Sequence, residues 1–436
     1  MKGALFLILF ICFLPLSFEN VCSMDLLSPE ELVKPINQRL QNNFSEFEYS
    51  GYIEHQVTRF MERSALKGVS IAVLKDEQLV FCCSYGYADE ELGIATSPEH
   101  LFRVASVSKL ITAVAVMKLV EEGKMSLDDK VFGQEGFFNE EQYLKIRDPK
   151  LKKITVLNLL NHTSGWTQRY GDPAFNPLAI AKKAGDQPPA TLDSYLKYVI
   201  SRRLYYEPGT MYSYSNMAYM FLGAIIEKVS GMKYEDFVKY HILFPNGIYD
   251  MHIAQNLYKD KFPNEVRYYE QEGSSLIQSY TGDSTYLPKS YGGNDITLLG
   301  AAGGWITSAP ELAKFMTLID GFDSVPDILS QESIQQMTGA LGNPLGWKEA
   351  SGGYWYRTGS FAGAAAMIHR RPDGMEWVFL TNTSNWQGPF FSNDINHLMR
   401  KLLKKVDQWP EQNLFNFFDP EALSYFPSLD ENQMIQ

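Results

Sequence analysis

The sequence predicts an α/β fold of the α+β kind, in which an antiparallel sheet of five or more strands is flanked by helices and interrupted by an inserted, mostly helical domain. Three observations predict it. Strand and hairpin signals occur early, within about 55–118, and return late, within about 296–405. The stretch between, about 119–295, is long, helix-rich and punctuated by Pro and Gly. No internal repeat divides the chain, so the two strand-bearing ends are expected to share one sheet around the insertion.

Residues 1–23 read as an address. Lys2 precedes an apolar run from Ala4 to Leu14, and Val21-Cys22-Ser23 offers small residues where a signal peptidase cleaves. The run is too short to span a bilayer comfortably. A secretory signal removed near Ser23 is therefore expected, with a secreted or periplasmic location and no stable membrane span afterwards; an uncleaved N-terminal anchor is the alternative. Residues 24–54 read as a polar, helical lead-in, 55–405 as the domain, and 406–436 as an aromatic, Pro-containing tail.

Within the domain, Gly68–Leu74 reads as a strand, Lys75-Asp76-Glu77-Gln78 as a turn, and Leu79–Tyr87 as the returning strand. Cys82 and Cys83, adjacent in that strand, are expected on opposite faces and unbridged. The run from Leu110 to Val120 is apolar nearly all round, which predicts a buried helix beginning at Ser106. Late strands are expected over 353–357, 362–370 and 376–382, with a Pro372-Asp373-Gly374 turn, and then a helix over about 391–406.

Composition narrows the function. The chain has 436 residues, with 45% hydrophobic and 21% charged content, as soluble globular enzymes do. A net charge of −12 with no basic block argues against nucleic acid or an anionic membrane as partner. Seven scattered histidines and four cysteines form no ligand pattern, so neither a metal nor a cofactor is expected.

Chemistry gathers at three places. In Ser106-Val107-Ser108-Lys109 a hydroxyl and an amine stand three residues apart, on one face of a helix. Burial disfavours an ammonium, and a weakly nucleophilic serine needs a proton acceptor beside it. Alone, the pattern also fits an N-cap serine followed by a solvated lysine. In Tyr212-Ser213-Tyr214-Ser215-Asn216, Tyr214 and Asn216 share a side of an extended segment; packing aromatics and an Asn216 N-cap are the other reading. In Arg357-Thr358-Gly359-Ser360, a strand end can present a cation to a carboxylate and let a substrate lie along the strand edge; taken alone, an ordinary strand end with a glycine turn is the other reading.

In this order and at these separations the three resemble the penicillin-recognising serine hydrolases, specifically the class C β-lactamase-like branch with its D,D-peptidases, D-aminopeptidases and esterases. Flanking segments are similar too, including Leu101-Phe102-Arg103-Val104-Ala105, Leu159-Leu160-Asn161-His162-Thr163-Ser164-Gly165 and Gly303-Gly304-Trp305-Ile306-Thr307-Ser308. The resemblance covers roughly residues 55–405 and implies a β-lactamase/transpeptidase-like fold. It implies that Ser106 forms an acyl-enzyme with an amide or ester of a small molecule or peptide, that Lys109 and Tyr214 move its proton, and that the backbone N–H groups of Ser106 and Ser360 hold the oxyanion. Asn216 would orient the substrate amide. Arg357, Thr358, Gly359 and Ser360 would line the substrate, with Arg357 facing a carboxylate or the tyrosine oxygen. Arg357 stands where the family usually has Lys or His, so a proton-transfer role there is in doubt. His162 resembles a structural loop residue of the family rather than part of a Ser-His-Asp set. The alternative reading is a catalytically silent binding or self-assembling protein on the same fold. Oligomeric state is not legible in the sequence.

Overall fold

The computed structural model of the protein describes residues 35–417. The signal-peptide reading, most of the lead-in before residue 35 and the end of the tail lie outside the described residues.

An early hairpin, β1 (Gly68–Lys75) and β2 (Gln78–Asp89), carries the short β3 (Ile94–Ala95) at its outer edge. Short strands β4 (Phe102–Arg103), β5 (His252–Ile253) and β8 (Trp305–Thr307) form a small sheet of their own. Between β5 and β8, β6 (Ile277–Gln278) and β7 (Tyr286–Leu287) form a separate hairpin in the insertion. The late strands are β9 (Glu349–Ser351), β10 (Tyr354–Phe361), β11 (Ala364–Arg370) and β12 (Met375–Thr381). The main sheet has seven strands in the order β3-β2-β1-β12-β11-β10-β9. Every pairing in it is antiparallel, and Val69 opposite Thr381 through Lys75 opposite Met375 joins the two ends of the chain. The sheet from both ends and the helix-rich insertion are thus as the sequence predicts; the small strands β3 to β9 were not foreseen.

Both faces of the sheet are covered, which is why β1, β11 and β12 are buried along their length instead of alternating with solvent. On one face the helix Ala309–Met316 packs on β1, β2 and β12, and the central helix Ser108–Glu121, apolar on every side and buried almost throughout, shares the core there. On the other, the amphipathic helices Ser50–Ser64 and Phe391–Lys405 pack together, with the Phe60 ring between Phe379 and Phe391. Cys82 and Cys83 fall into these two different cores as unpaired thiols. The boundary expected at 54/55 lies inside the helix Ser50–Ser64, while Ile36 and Leu40 before it and Leu414 in the tail reach the same core as the central helix. The described residues accordingly cluster as one compact unit. No helix among the described residues is long and apolar enough to cross a membrane.

Candidate active site

Ser106 sits just before the central helix, in a tight turn over Ala105–Val107, and the helix itself begins at Ser108. The sequence placed Ser106 within the helix. The difference arises at Ala105, whose φ of +46° turns the chain ahead of the serine. A non-glycine residue in that region stores about 1–3 kcal/mol, held by the surrounding structure. The turn still brings Lys109 Nζ to 3.3 Å from Ser106 Oγ.

Lys109 is fully buried. Its Nζ donates to two oxygens that can only accept, Asn216 Oδ1 at 2.6 Å and the Ala302 carbonyl at 2.5 Å. Burial holds the amine well below the ordinary lysine value; the Arg357 charge adds to this, and Asp172 pulls the other way.

Tyr214 Oη lies 2.7 Å from Ser106 Oγ. Burial raises the phenol, opposed by the charge of Arg357 and the hydrogen bond with Ser106. The Tyr214 segment is held by His162. This buried residue, at φ +60°, accepts Ser213 N on its carbonyl and Ser215 N on Nδ1, and its ring packs 4.6 Å from that of Tyr214. Burial and the charges of Arg357 and Lys109 keep the imidazole far below its usual pKa, hence neutral. His162 is scaffolding, as its motif implied. The N-cap of the following helix, Asn216–Ser230, is Ser215 rather than Asn216.

Asn216 differs from expectation. Both ends of its amide are engaged within the protein: Oδ1 accepts from Lys109, and Nδ2 donates to Asp172 Oδ2 at 2.5 Å. Asp172 was missed. Its Oδ2 also accepts from Gln168 Nε2 at 2.6 Å, and its Oδ1 from Ala174 N at 3.0 Å. Its sequence signal is local: Asp before Pro173 caps a helical turn, which says nothing of the contact with Asn216.

Strand β10 forms the opposite wall. A Cβ at Gly359 would overlap the Val104 carbonyl and stand 3.0 Å from Ser106 N, so only glycine lets the strand approach this closely. Lys348 N donates to the Tyr356 carbonyl, and β9 pairs no further along β10. Backbone groups alternate in direction along a strand, so those of Thr358 and Ser360 point to the unpaired edge. Arg357, only 3% exposed, is turned inward. Its Nε donates to the Ser106 carbonyl at 2.8 Å and its Nη2 to Tyr214 Oη at 3.3 Å. Of the two partners considered for it, the tyrosine oxygen is the one it meets.

The crevice over Ser106 is also lined by Ser360, Asn216, Gly303 and Leu299, and encloses about 10 Å³. That is about the least space that holds a single water. Phe175 and Phe361, with ring centroids 5.8 Å apart, close it. Next to it, beyond Asp172 and Tyr214, a cavity of about 340 Å³ opens towards Trp166 and Met217. A groove of about 1280 Å³ elsewhere shares no lining residue with these two and carries no comparable constellation. No cluster able to hold a metal ion occurs among the described residues.

Comparison with known proteins identifies the family and the fold. The sequence model of the family described as Beta-lactamase matches residues 53–398. PbpX of Bacillus subtilis (strain 168), which carries the name of a penicillin-binding protein, is 28% identical over 312 residues, spanning 71% of this chain and 64% of that protein. Protein flp of Staphylococcus aureus (strain MW2) is 27% identical over 241 residues, spanning 55% of this chain and 44% of that protein. The chain therefore matches less than two thirds of the length of either curated relative. Among solved structures, the octameric penicillin-binding protein homologue from Pyrococcus abyssi aligns with a TM-score of 0.62 at 26% identity, over 83% of this chain and 78% of that one. The D-amino acid amidase from Ochrobactrum anthropi SV3 aligns with a TM-score of 0.63 at 22% identity, over 82% of this chain and 98% of that one, a likeness of fold.

Proposed function

This chain belongs to the β-lactamase family of penicillin-recognising serine hydrolases, and on that premise we propose that it hydrolyses an amide or ester through an acyl-enzyme on Ser106. The observation that carries the proposal is the contact of Ser106 Oγ with Tyr214 Oη at 2.7 Å and Lys109 Nζ at 3.3 Å inside a desolvated pocket.

The lowered lysine and the raised tyrosine support a resting state in which both are neutral. A neutral amine has two N–H bonds, which the Ala302 carbonyl and Asn216 Oδ1 take up, and one lone pair, which is left for the Ser106 hydroxyl. In this reading Ser106 gives its proton to Lys109 as Oγ attacks the carbonyl carbon. Negative charge gathers on the carbonyl oxygen, and the N–H groups of Ser106 and Ser360 are the donors proposed to meet it. Such a donor is worth about a hundredfold in rate or more. As the tetrahedral species collapses, the bond to the leaving group breaks. The Tyr214 hydroxyl hands that group a proton, which Lys109 replaces. Water then attacks the acyl carbon with the roles reversed, and Ser106 regains its hydrogen. Arg357, donating to Tyr214 Oη, stabilises negative charge on that oxygen during the transfer.

Treatment with a fluorophosphonate and with a fluorescent penicillin, followed by mass spectrometry, tests this. An adduct on Ser106, together with hydrolysis of p-nitrophenyl esters, D-Ala-D-Ala peptides or nitrocefin that Ser106→Ala abolishes, is the expected result. Folded protein that gives neither adduct nor turnover would leave the silent, binding-protein reading in its place.

A further inference from the structure

We propose that Asp172 is a positioning residue for the nucleophile: it locks the Asn216 amide in the orientation that leaves the Lys109 lone pair to Ser106. This rests on the hydrolase reading above and adds to it a residue that acts without touching the substrate.

An amide side chain has two ends of nearly the same shape and opposite character, so its neighbours decide which way it faces. Asn216 lies between Lys109 and Asp172, with Oδ1 2.6 Å from Lys109 Nζ and Nδ2 2.5 Å from Asp172 Oδ2. The lysine does not make the choice, because a neutral amine both donates and accepts and can meet either end. A carboxylate only accepts, so Asp172 takes Nδ2 and turns Oδ1 towards the lysine. The consequence falls on the amine. Its two N–H bonds go to the Ala302 carbonyl and Asn216 Oδ1, and its lone pair is left to face Ser106 Oγ at 3.3 Å. With the amide reversed, Nδ2 would donate to Nζ and occupy that lone pair. Ser106 would then have lost its proton acceptor.

Asp172 is itself held independently of Asn216. Its Oδ1 accepts from Ala174 N at 3.0 Å, capping the turn Pro173–Phe175, and its Oδ2 also accepts from Gln168 Nε2 at 2.6 Å. Charge acts at the same place. Around Lys109 stand Arg357, the neutral His162, and the rings of Tyr214 and Tyr219, whose centroids lie 4.8 and 5.5 Å from Nζ. Arg357 disfavours an ammonium there and Asp172 favours it. Asp172 therefore also steadies the ammonium that forms when Lys109 takes the serine proton. Phe175, which closes the crevice, belongs to the turn that Asp172 caps. A merely structural Asp172 would act through that ring, on the fit of the substrate and hence on KM.

In the full chain, the rate of Ser106 labelling by a fluorophosphonate and the kcat and KM for p-nitrophenyl acetate are measured across pH, each variant being checked for folding by circular dichroism. Asp172→Asn puts an amide, which can present either end, where the carboxylate was. It should lower the labelling rate and kcat by about 10–100-fold, with KM changed by less than about threefold. The acid limb of the profile marks Lys109 losing its proton, so removing a charge that favours the ammonium moves that limb to lower pH. Water entering a loosened site would move it to higher pH. Asp172→Glu keeps a charged group that only accepts and should stay faster than Asp172→Asn. In an Asn216→Ala background, Asp172→Asn should cost nothing more on the plateau above the limb, since the lock has nothing left to hold. Asp172→Ser carries the same comparisons should Asp172→Asn not fold. A folded Asp172→Asn variant as fast as wild type, a limb that stays or moves to higher pH, or a loss that repeats in full in the Asn216→Ala background overturns this inference and leaves the hydrolase reading standing. Wild type that is neither labelled at Ser106 nor hydrolyses any ester, peptide or β-lactam of the panel above overturns both.

Discussion

A buried group of carboxyls below the helical face of the sheet makes a quantitative prediction. Glu376 on β12 is wholly buried, and neither of its oxygens has a hydrogen-bond partner; Asp320 Oδ2 has none either. Burial is the largest cause of a raised pKa for both; Asp320 raises Glu376 further, and Glu77 and Asp327 raise Asp320. Asp320 is pushed up to about 7 from 3.8. A folded-state pKa above the unfolded one means that the folded protein holds its proton more tightly. Stability is then fully present below about pH 4 and is lost as pH rises through about 7. Three pH units at 1.36 kcal/mol each give a ceiling of about 4 kcal/mol. Asp320→Asn removes this loss. Its Oδ1 can still accept from Phe322 N, now at 2.7 Å from Asp320 Oδ1, and its amide N–H is permanently available to Glu376. Urea denaturation of wild type and variant at pH 4.5, 6.0 and 7.5 measures the difference. Comparing the two proteins at each pH cancels groups that titrate in both, such as His369, whose pKa burial lowers to about 4. The variant should gain on the wild type as pH rises, reaching about 2–4 kcal/mol in its favour at pH 7.5. A difference that stays flat with pH, or moves against the variant, refutes the reasoning.

Two further outcomes concern the site. Arg357→Ala should lower kcat/KM for neutral and anionic esters by the same factor, about 10–100-fold, because Arg357 serves Tyr214 and the Ser106 carbonyl; a loss confined to anionic esters would restore the carboxylate role. Phe175→Ala should raise kcat/KM for bulky aryl esters about tenfold over that for acetate esters, one decade being about 1.4 kcal/mol, because the ring closes a crevice of about 10 Å³. Equal changes for both esters would show that Phe175 does not gate access.

What the sequence made legible followed the range of each interaction. Ser106 and Lys109 are related by helical spacing, a rule that holds over four residues, and they meet even though the serine lies on a turn. The hairpin at 68–87 and the three late strands follow from β-branched runs with turn residues between them. Strand β9 has only three residues, one of them buried in part, so no alternation marks it. Asp172 and Asn216 are 44 residues apart in sequence, and nothing local ties them. Their contact depends on how the insertion folds back over the serine. The direction of Arg357 depends on which face of β10 meets the Ala105–Val107 turn, and strand alternation alone leaves that open. Of the three Asn-x-Ser/Thr triplets in the sequence, Asn161 and Asn382 are buried and hydrogen-bonded, whereas Asn43 is exposed. A three-residue pattern carries no such information.

Arg357 connects these points. Where the resemblance has a lysine or histidine, the forked guanidinium here spans two acceptors, the Ser106 carbonyl and Tyr214 Oη. A single ammonium is a point charge without that fixed fork. With the cation turned inward, the third motif braces Ser106 and Tyr214, the proposed nucleophile and proton shuttle, and it has less to offer a substrate. Asn216 is committed in the same way between Lys109 and Asp172. Few polar groups are then left to orient an acyl donor, and the backbone of Thr358 and Ser360 on the open edge of β10 is one of them. That edge can hold a carbonyl oxygen or an extended chain. A hydrolase site whose internal hydrogen bonds are this complete would discriminate among substrates through that edge and through Phe175 and Phe361, which close the crevice.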